Sequence, residues 1–160
     1  MLLHLVRHAD AGDPEAWTGP DAARPLSDKG RAQADRLGAF LAAHDFKADA
    51  AIASPKLRAV QTAEIVAGHL GIAVTEDKRL AEPLDLPTLD AVLTDAHDPE
   101  RPILFGHDPD FSEFVADLCS AVNVPMRKGA LAKIEVDRPL QAGKGILRWV
   151  IPPDALRRKG

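Results

Sequence analysis

Leu2-Leu3-His4-Leu5-Val6-Arg7-His8-Ala9-Asp10 decides how the rest of the chain is read. A run of apolar residues, broken only by His4, leads straight into an Arg-His pair and then into small and turn-forming residues. Such a run is what a strand buried on both faces requires. Ending it in two cationic-capable side chains serves packing poorly. In α/β proteins the carboxyl ends of strands are where ligands bind.

Outward from this strand, hydrophobic periodicity places the other elements. Ala11 to Ser27 is rich in Gly, Pro, Asp and Ala, with Trp17 as its one large apolar residue. It reads as a long surface loop in which Trp17 covers the core. Ser27 caps a helix through about Ala43 whose stripe is Ala34, Leu37, Gly38 and Leu41. Ala50 to Ala53 is a short buried strand. Ser54-Pro55 reads as cap and first position of a second helix, closed by Gly71. A strand is expected at Ile72 to Val74, an irregular loop with Glu82 and Asp85 at Lys78 to Leu86, and a helix from about Pro87 to Ala96. Pro102 to His107 repeats the first strand's design, apolar and then histidine. Asp108-Pro109 opens a helix with Phe111, Phe114, Val115, Leu118 and Val122 on one face. Strands at Ala130 to Val136 and Gly145 to Ile151 end the series. Cys119 falls on an apolar helix face and reads as a core thiol; as the lone cysteine it fits a reducing compartment.

Strands alternating with helices predict one α/β domain over residues 1–160 with a largely parallel sheet, whose strand-to-helix turns share one edge. Topology then gathers Arg7, His8, Arg58 and His107 at a single rim. Two arginines and two histidines there suit an oxyanion. Arginine forks match phosphate oxygens and keep their charge at neutral pH. A neutral imidazole can attack phosphorus, and a second, protonated one can steady the transferring oxygens. His4, His44, His69 and His97 lack such company and read as structural. The histidine spacing and the single cysteine imply no metal site.

These residues sit in motifs that resemble a known family. Leu5-Val6-Arg7-His8-Ala9-Asp10 resembles the Arg-His-Gly signature of the histidine phosphatase superfamily, also called phosphoglycerate mutase-like. Arg24-Pro25-Leu26-Ser27-Asp28-Lys29-Gly30 resembles the segment leading into its first helix. Ser54-Pro55-Lys56-Leu57-Arg58-Ala59-Val60-Gln61-Thr62-Ala63 and Phe105-Gly106-His107-Asp108-Pro109 resemble its second and third motifs. Length and the Gly-His-Asp-Pro form look most like the small SixA-type branch, which acts on protein phosphohistidine. The one departure is Ala9, where the superfamily usually has glycine. The resemblance implies a three-layer α/β/α sandwich with a mostly parallel sheet and a phosphatase without cofactor or metal. It implies His8 as the nucleophile, Arg7 and Arg58 as the phosphate grip, and His107 as transition-state donor. Larger relatives take a general acid from a later loop. Glu82 is the candidate here, with Asp85 and Asp10 as alternatives, although an imidazole leaving group can take its proton from solvent.

Composition narrows the partners. With 160 residues, 46% apolar and 28% charged, the chain is ordinary globular sequence. A net charge of -4 exerts no general pull on nucleic acid or membrane, and the basic ending Leu156-Arg157-Arg158-Lys159 reads as a solvated tail. No signal peptide or membrane-length apolar run is evident, so a cytoplasmic location is expected. Little length is spare for a lid, which favours a phosphorylated protein as substrate. Two alternatives stand beside that reading: a small-metabolite phosphomonoesterase, and a non-catalytic phosphate- or phosphoprotein-binding module.

Overall fold

The computed structural model describes residues 1–158; Lys159 of the basic ending lies outside them. The strands are β1 (Leu2–Arg7), β2 (Ala50–Ala53), β3 (Val74–Glu76), β4 (Pro102–Gly106), β5 (Leu131–Glu135) and β6 (Ile146–Ile151). The helices are α1 (Asp28–Ala43), α2 (Leu57–Leu70), α3 (Leu86–Asp95) and α4 (Asp110–Cys119). One six-stranded sheet carries the order β3-β2-β4-β1-β5-β6. The first four of these strands run parallel to one another, while β5 and β6 pair antiparallel at the far side.

Alternation along β1 and β4 divides the interior in two. Leu3, Leu5 and Leu104 join Leu89, Leu93, Phe111 and Leu118 on one face, beneath α3 and α4. Val6, Ile103 and Phe105 join Leu37, Leu41, Ala63 and Val66 on the other, beneath α1 and α2. Apolar side chains thus leave the central strands in both directions, which is the physical content of their unbroken apolar runs. The result is the expected three-layer α/β/α arrangement with a mostly parallel sheet.

Several boundaries differ from the sequence reading. The second helix does not begin at Ser54-Pro55. Ser54 N donates to the Phe105 carbonyl at 2.9 Å, continuing the β2–β4 ladder, and α2 starts at Leu57 with Lys56 at its cap. The third strand falls at Val74–Glu76 instead of Ile72 to Val74. Gly71 takes the left-handed conformation (φ 68°), and Ile72 N folds back onto the Ala67 carbonyl to finish the helix, so the strand starts later. The fourth helix stops at Cys119 because Ser120 turns left-handed (φ 53°), which leaves Val122 fully exposed rather than on the stripe. Trp17 lies outside both cores, with its indole N–H on the Pro20 carbonyl. Cys119 is half-buried against the core, and burial raises its thiol pKa.

Ser27 does cap α1, accepting from Gly30 N at 3.1 Å. Gly30 is a poor helix former, but a Cβ there would sit 1.9 Å from the Asp10 carbonyl oxygen. Its absence lets α1 dock against the segment that follows β1. Ala9 is fully buried and is not among the positive-φ residues, so alanine is unstrained where the family usually has glycine.

Candidate active site

Arg7 ends β1 and His8 follows it; Arg58 is the second residue of α2; His107 follows β4. All lie at the carboxyl edge of the parallel strands, and the His8 and His107 ring centroids are 5.3 Å apart. The positive charge of Arg58 and Arg7 reaches His8, and that of Arg58 reaches His107. The structure therefore brings together the rim residues singled out from the sequence.

The His8 imidazole is fixed by its nearer nitrogen. Nδ1 lies 2.7 Å from the Ala9 carbonyl, which can only accept, so Nδ1 carries the proton and Nε2 keeps its lone pair. Nε2 makes no hydrogen bond to the described residues and is not among the sealed, unpartnered polar atoms, so it faces the site opening. Burial lowers the His8 pKa to about 4, and the neighbouring guanidinium groups add to the effect. His107 Nε2 meets the fully buried Ser54 hydroxyl at 2.7 Å, while its Nδ1 is buried and unpartnered. Burial, then the charge of His8 and Arg58, pushes the His107 pKa to about 3. Both rings are neutral at pH 7 without an anion present.

The arginines are anchored by different means. Arg7 Nη1 donates to the Met126 carbonyl at 2.9 Å and lies 3.5 Å from Asp108 Oδ2. Asp108 is itself held by Ser112, whose backbone N–H and hydroxyl both donate to it at the start of α4. Arg58 reaches into the 11–27 loop: Nη1 donates to the Asp21 carbonyl at 2.9 Å and Nη2 to Asp21 Oδ2 at 3.0 Å. The buried Arg24 clamps the same loop, donating to the Ala11 carbonyl at 2.7 Å, with Nη2 3.5 Å from Asp21 Oδ1. Nε of Arg7, Arg24 and Arg58 are each buried without a protein partner. The guanidinium groups of Arg7 and Arg58 beside two histidine rings suit a multidentate anion.

The backbone between these groups is pinned by side chains from two helices. Thr62 Oγ1 accepts from Ala9 N at 3.1 Å and donates to the Arg58 carbonyl at 2.7 Å. Gln33 accepts from Asp10 N, and Gln61 from Leu26 N, each at 2.9 Å. Gly129 N bridges the carbonyls of Arg7 and His8. Gln61 and Thr62 stand in a quoted motif, yet only the tertiary structure shows what they hold. Asp21 carries no sequence signal at all, lying in a loop without periodicity.

Of the carboxylates considered as proton donors, Asp10 belongs to the pinned segment after His8, Asp85 is a helix cap and Glu82 is exposed. Glu82 is exposed at the end of a short 3-10 turn and lines a small cleft with Lys78, Arg79, Pro83, Leu84 and Thr88 that includes none of the four rim residues. Asp85 caps α3 through Thr88 N, and the Thr88 contact lowers its pKa. Asp10 accepts from the Ser27 hydroxyl at 2.6 Å, which lowers its pKa. A carboxylate held in its charged form is a poor donor at neutral pH. Among the described residues no group of three or more His, Cys, Asp or Glu side chains is placed to hold a metal ion. No helix among them is long and apolar enough to cross a membrane.

Comparison with known proteins agrees with this geometry. Residues 3–107 match the model of the histidine phosphatase superfamily (branch 1), and the chain belongs to that family. Within it the likeness is to the SixA type. Phosphohistidine phosphatase SixA of Escherichia coli (strain K12) is 26% identical over 98% of this chain and 97% of its own length. The solved structure of the protein histidine phosphatase SixA complexed with tungstate superposes with a TM-score of 0.83 at 26% identity, covering 98% of this chain and 100% of that one. An 8-oxo-(d)GTP phosphatase of Mycolicibacterium smegmatis (strain ATCC 700084 / mc(2)155) is 38% identical over 49% of this chain, a stretch that spans only 24% of that protein.

Proposed function

We propose that this protein is a phosphatase acting on phosphohistidine in proteins through a phosphorylated His8. The observation that carries the proposal is the state of that ring: Nδ1–H is fixed on the Ala9 carbonyl, and the free Nε2 is unprotonated at neutral pH. Nε2 attacks phosphorus and forms an N–P bond as the substrate's P–N bond breaks. The bonding pair goes to the departing imidazole, which takes a proton from solvent. Water then attacks the phosphorylated His8, releasing inorganic phosphate and a proton and restoring the neutral ring.

Arg7 and Arg58 neutralise the oxygens during both transfers. His107 begins neutral, but a bound dianion beside it raises its pKa, so that it takes up a proton and donates to the same oxygens. No dedicated acid is required for an imidazole leaving group, whose own pKa is about 6.5. The lowered pKa values of Asp10 and Asp85, which hold both in their charged forms, support that reading. The guanidinium pair supplies the charge stabilisation, so the mechanism invokes no cofactor.

The test is phosphate release from a phosphohistidine-bearing protein and from p-nitrophenyl phosphate, side by side with chelator present. The expected result is fast release from the first and slow release from the second, with His8→Ala silent and Glu82→Gln active on phosphohistidine. The reverse preference would mark a small-metabolite phosphomonoesterase. Binding of the phosphoprotein without His8-dependent turnover would mark a binding module.

A further inference from the structure

The side chain occupying Arg58 is itself an anion. Asp21 offers Arg58 both its carbonyl, at 2.9 Å, and its carboxylate, at 3.0 Å. The two partners differ sharply in exposure: the Arg58 side chain is 7% accessible and that of Asp21 58%. The carboxylate thus reaches the buried guanidinium from the solvent side. Its negative charge is also felt at His107, the second ring of the rim. A short 3-10 turn, Asp21–Ala23, presents it, and Arg24 steadies it from beneath by gripping Ala11 and lying 3.5 Å from Asp21 Oδ1.

From this geometry we infer that Asp21 is a tethered competitor for the phosphoryl subsite: it sits on Arg58 when the site is empty, yields to the phosphoryl group, and returns to expel the product. The inference rests on the reading of Arg58 as part of the phosphate grip. A carboxylate and a phosphoryl group seek the same N–H fork, and Asp21 already holds an N–H of both Nη1 and Nη2 of Arg58. Tethering gives Asp21 a fixed effective concentration, so every oxyanion that binds must first displace it. The cost falls equally on substrate and on inorganic phosphate. The substrate recovers it through contacts made by the protein that carries the phosphoryl group, whereas free phosphate has no such contacts. Asp21 therefore makes the site selective for a phosphoryl group presented on a larger body and limits product inhibition. It acts through Arg58 and is a positioning residue.

Binding of tungstate, measured by titration calorimetry on the full chain at pH 7, separates the possibilities without requiring turnover. Asp21→Asn and Asp21→Ala are expected to tighten tungstate binding about fivefold, and to strengthen inhibition by inorganic phosphate in parallel. A purely structural role for Asp21 would leave the affinity unchanged or weaken it, and either result overturns the inference while the phosphate grip stands. If the unmodified protein and both variants bind no tungstate, the grip itself falls and the inference with it.

Discussion

His4 within β1 and His8 just beyond its end make a controlled comparison. His4 and His8 are 1% and 6% exposed, and burial lowers the pKa of each to about 4. Each lays Nδ1 on a backbone carbonyl, that of Pro102 at 3.0 Å and that of Ala9 at 2.7 Å. Protonation state and tautomer are therefore shared. What differs is the other nitrogen. His4 Nε2 is sealed in the interior without a partner, and the ring packs edge-on to Phe46 with centroids 4.6 Å apart. His8 Nε2 opens toward the rim formed with Arg58 and His107. A neutral buried histidine is thus not in itself a nucleophile; in the proposed mechanism it is the exposed lone pair at the rim that sets His8 apart from His4.

The sharpest way to break this comparison is to remove each ring in turn. His8→Ala should abolish phosphate release, a loss of about a thousandfold or more, with little change in melting temperature. His4→Leu should do the opposite. It leaves the Pro102 carbonyl without its donor and should cost about 1–2 kcal/mol of stability in denaturant titration, with turnover within about twofold of the unmodified protein. Equal loss of activity in the two variants would erase the distinction.

A smaller effect follows from what the rings share. His4, His8 and His107 bind protons less readily folded than unfolded, because burial opposes their charged forms. Between pH 6.5 and about 4 the unfolded chain therefore holds more protons, and stability must fall as pH is lowered through that window. Well above pH 6.5, by about pH 8, the three rings are neutral in both states and contribute no slope. Thermal melts from pH 8 to 4 should show this decline, and His4→Leu should make it shallower. A melting temperature that rises toward pH 4 would contradict the assigned directions.

The sequence made the rim legible and left its supports hidden, for a physical reason. Arg7, His8, Arg58 and His107 each stand at or next to the end of an element whose apolar period is plain, so chain topology alone gathers them at one edge. Asp21 and Arg24 lie in a loop where no period operates, and the pairing of Asp21 with Arg58 spans 37 residues. Ser54 shows the limit of local rules. Ser-Pro is a sound helix-start signal, but the Ser54 N–H extends the β2–β4 hydrogen bonding just past β2, and its hydroxyl meets His107. Val122 shows the same limit at the other end of a helix, since the left-handed turn at Ser120 interrupts a stripe that the apolar spacing continues. Gly30 reads locally as a weak point and proves to be a contact, closed over the Asp10 carbonyl.

The most direct test of the account is to trap the phosphorylated protein. After brief exposure to a phosphohistidine-bearing protein and an alkaline quench, peptide mass spectrometry should find an acid-labile phosphoryl group on His8, absent from His8→Ala. A phosphoryl group on any other residue, or turnover at a normal rate with no phosphorylated intermediate at any quench time, would contradict the central role of His8.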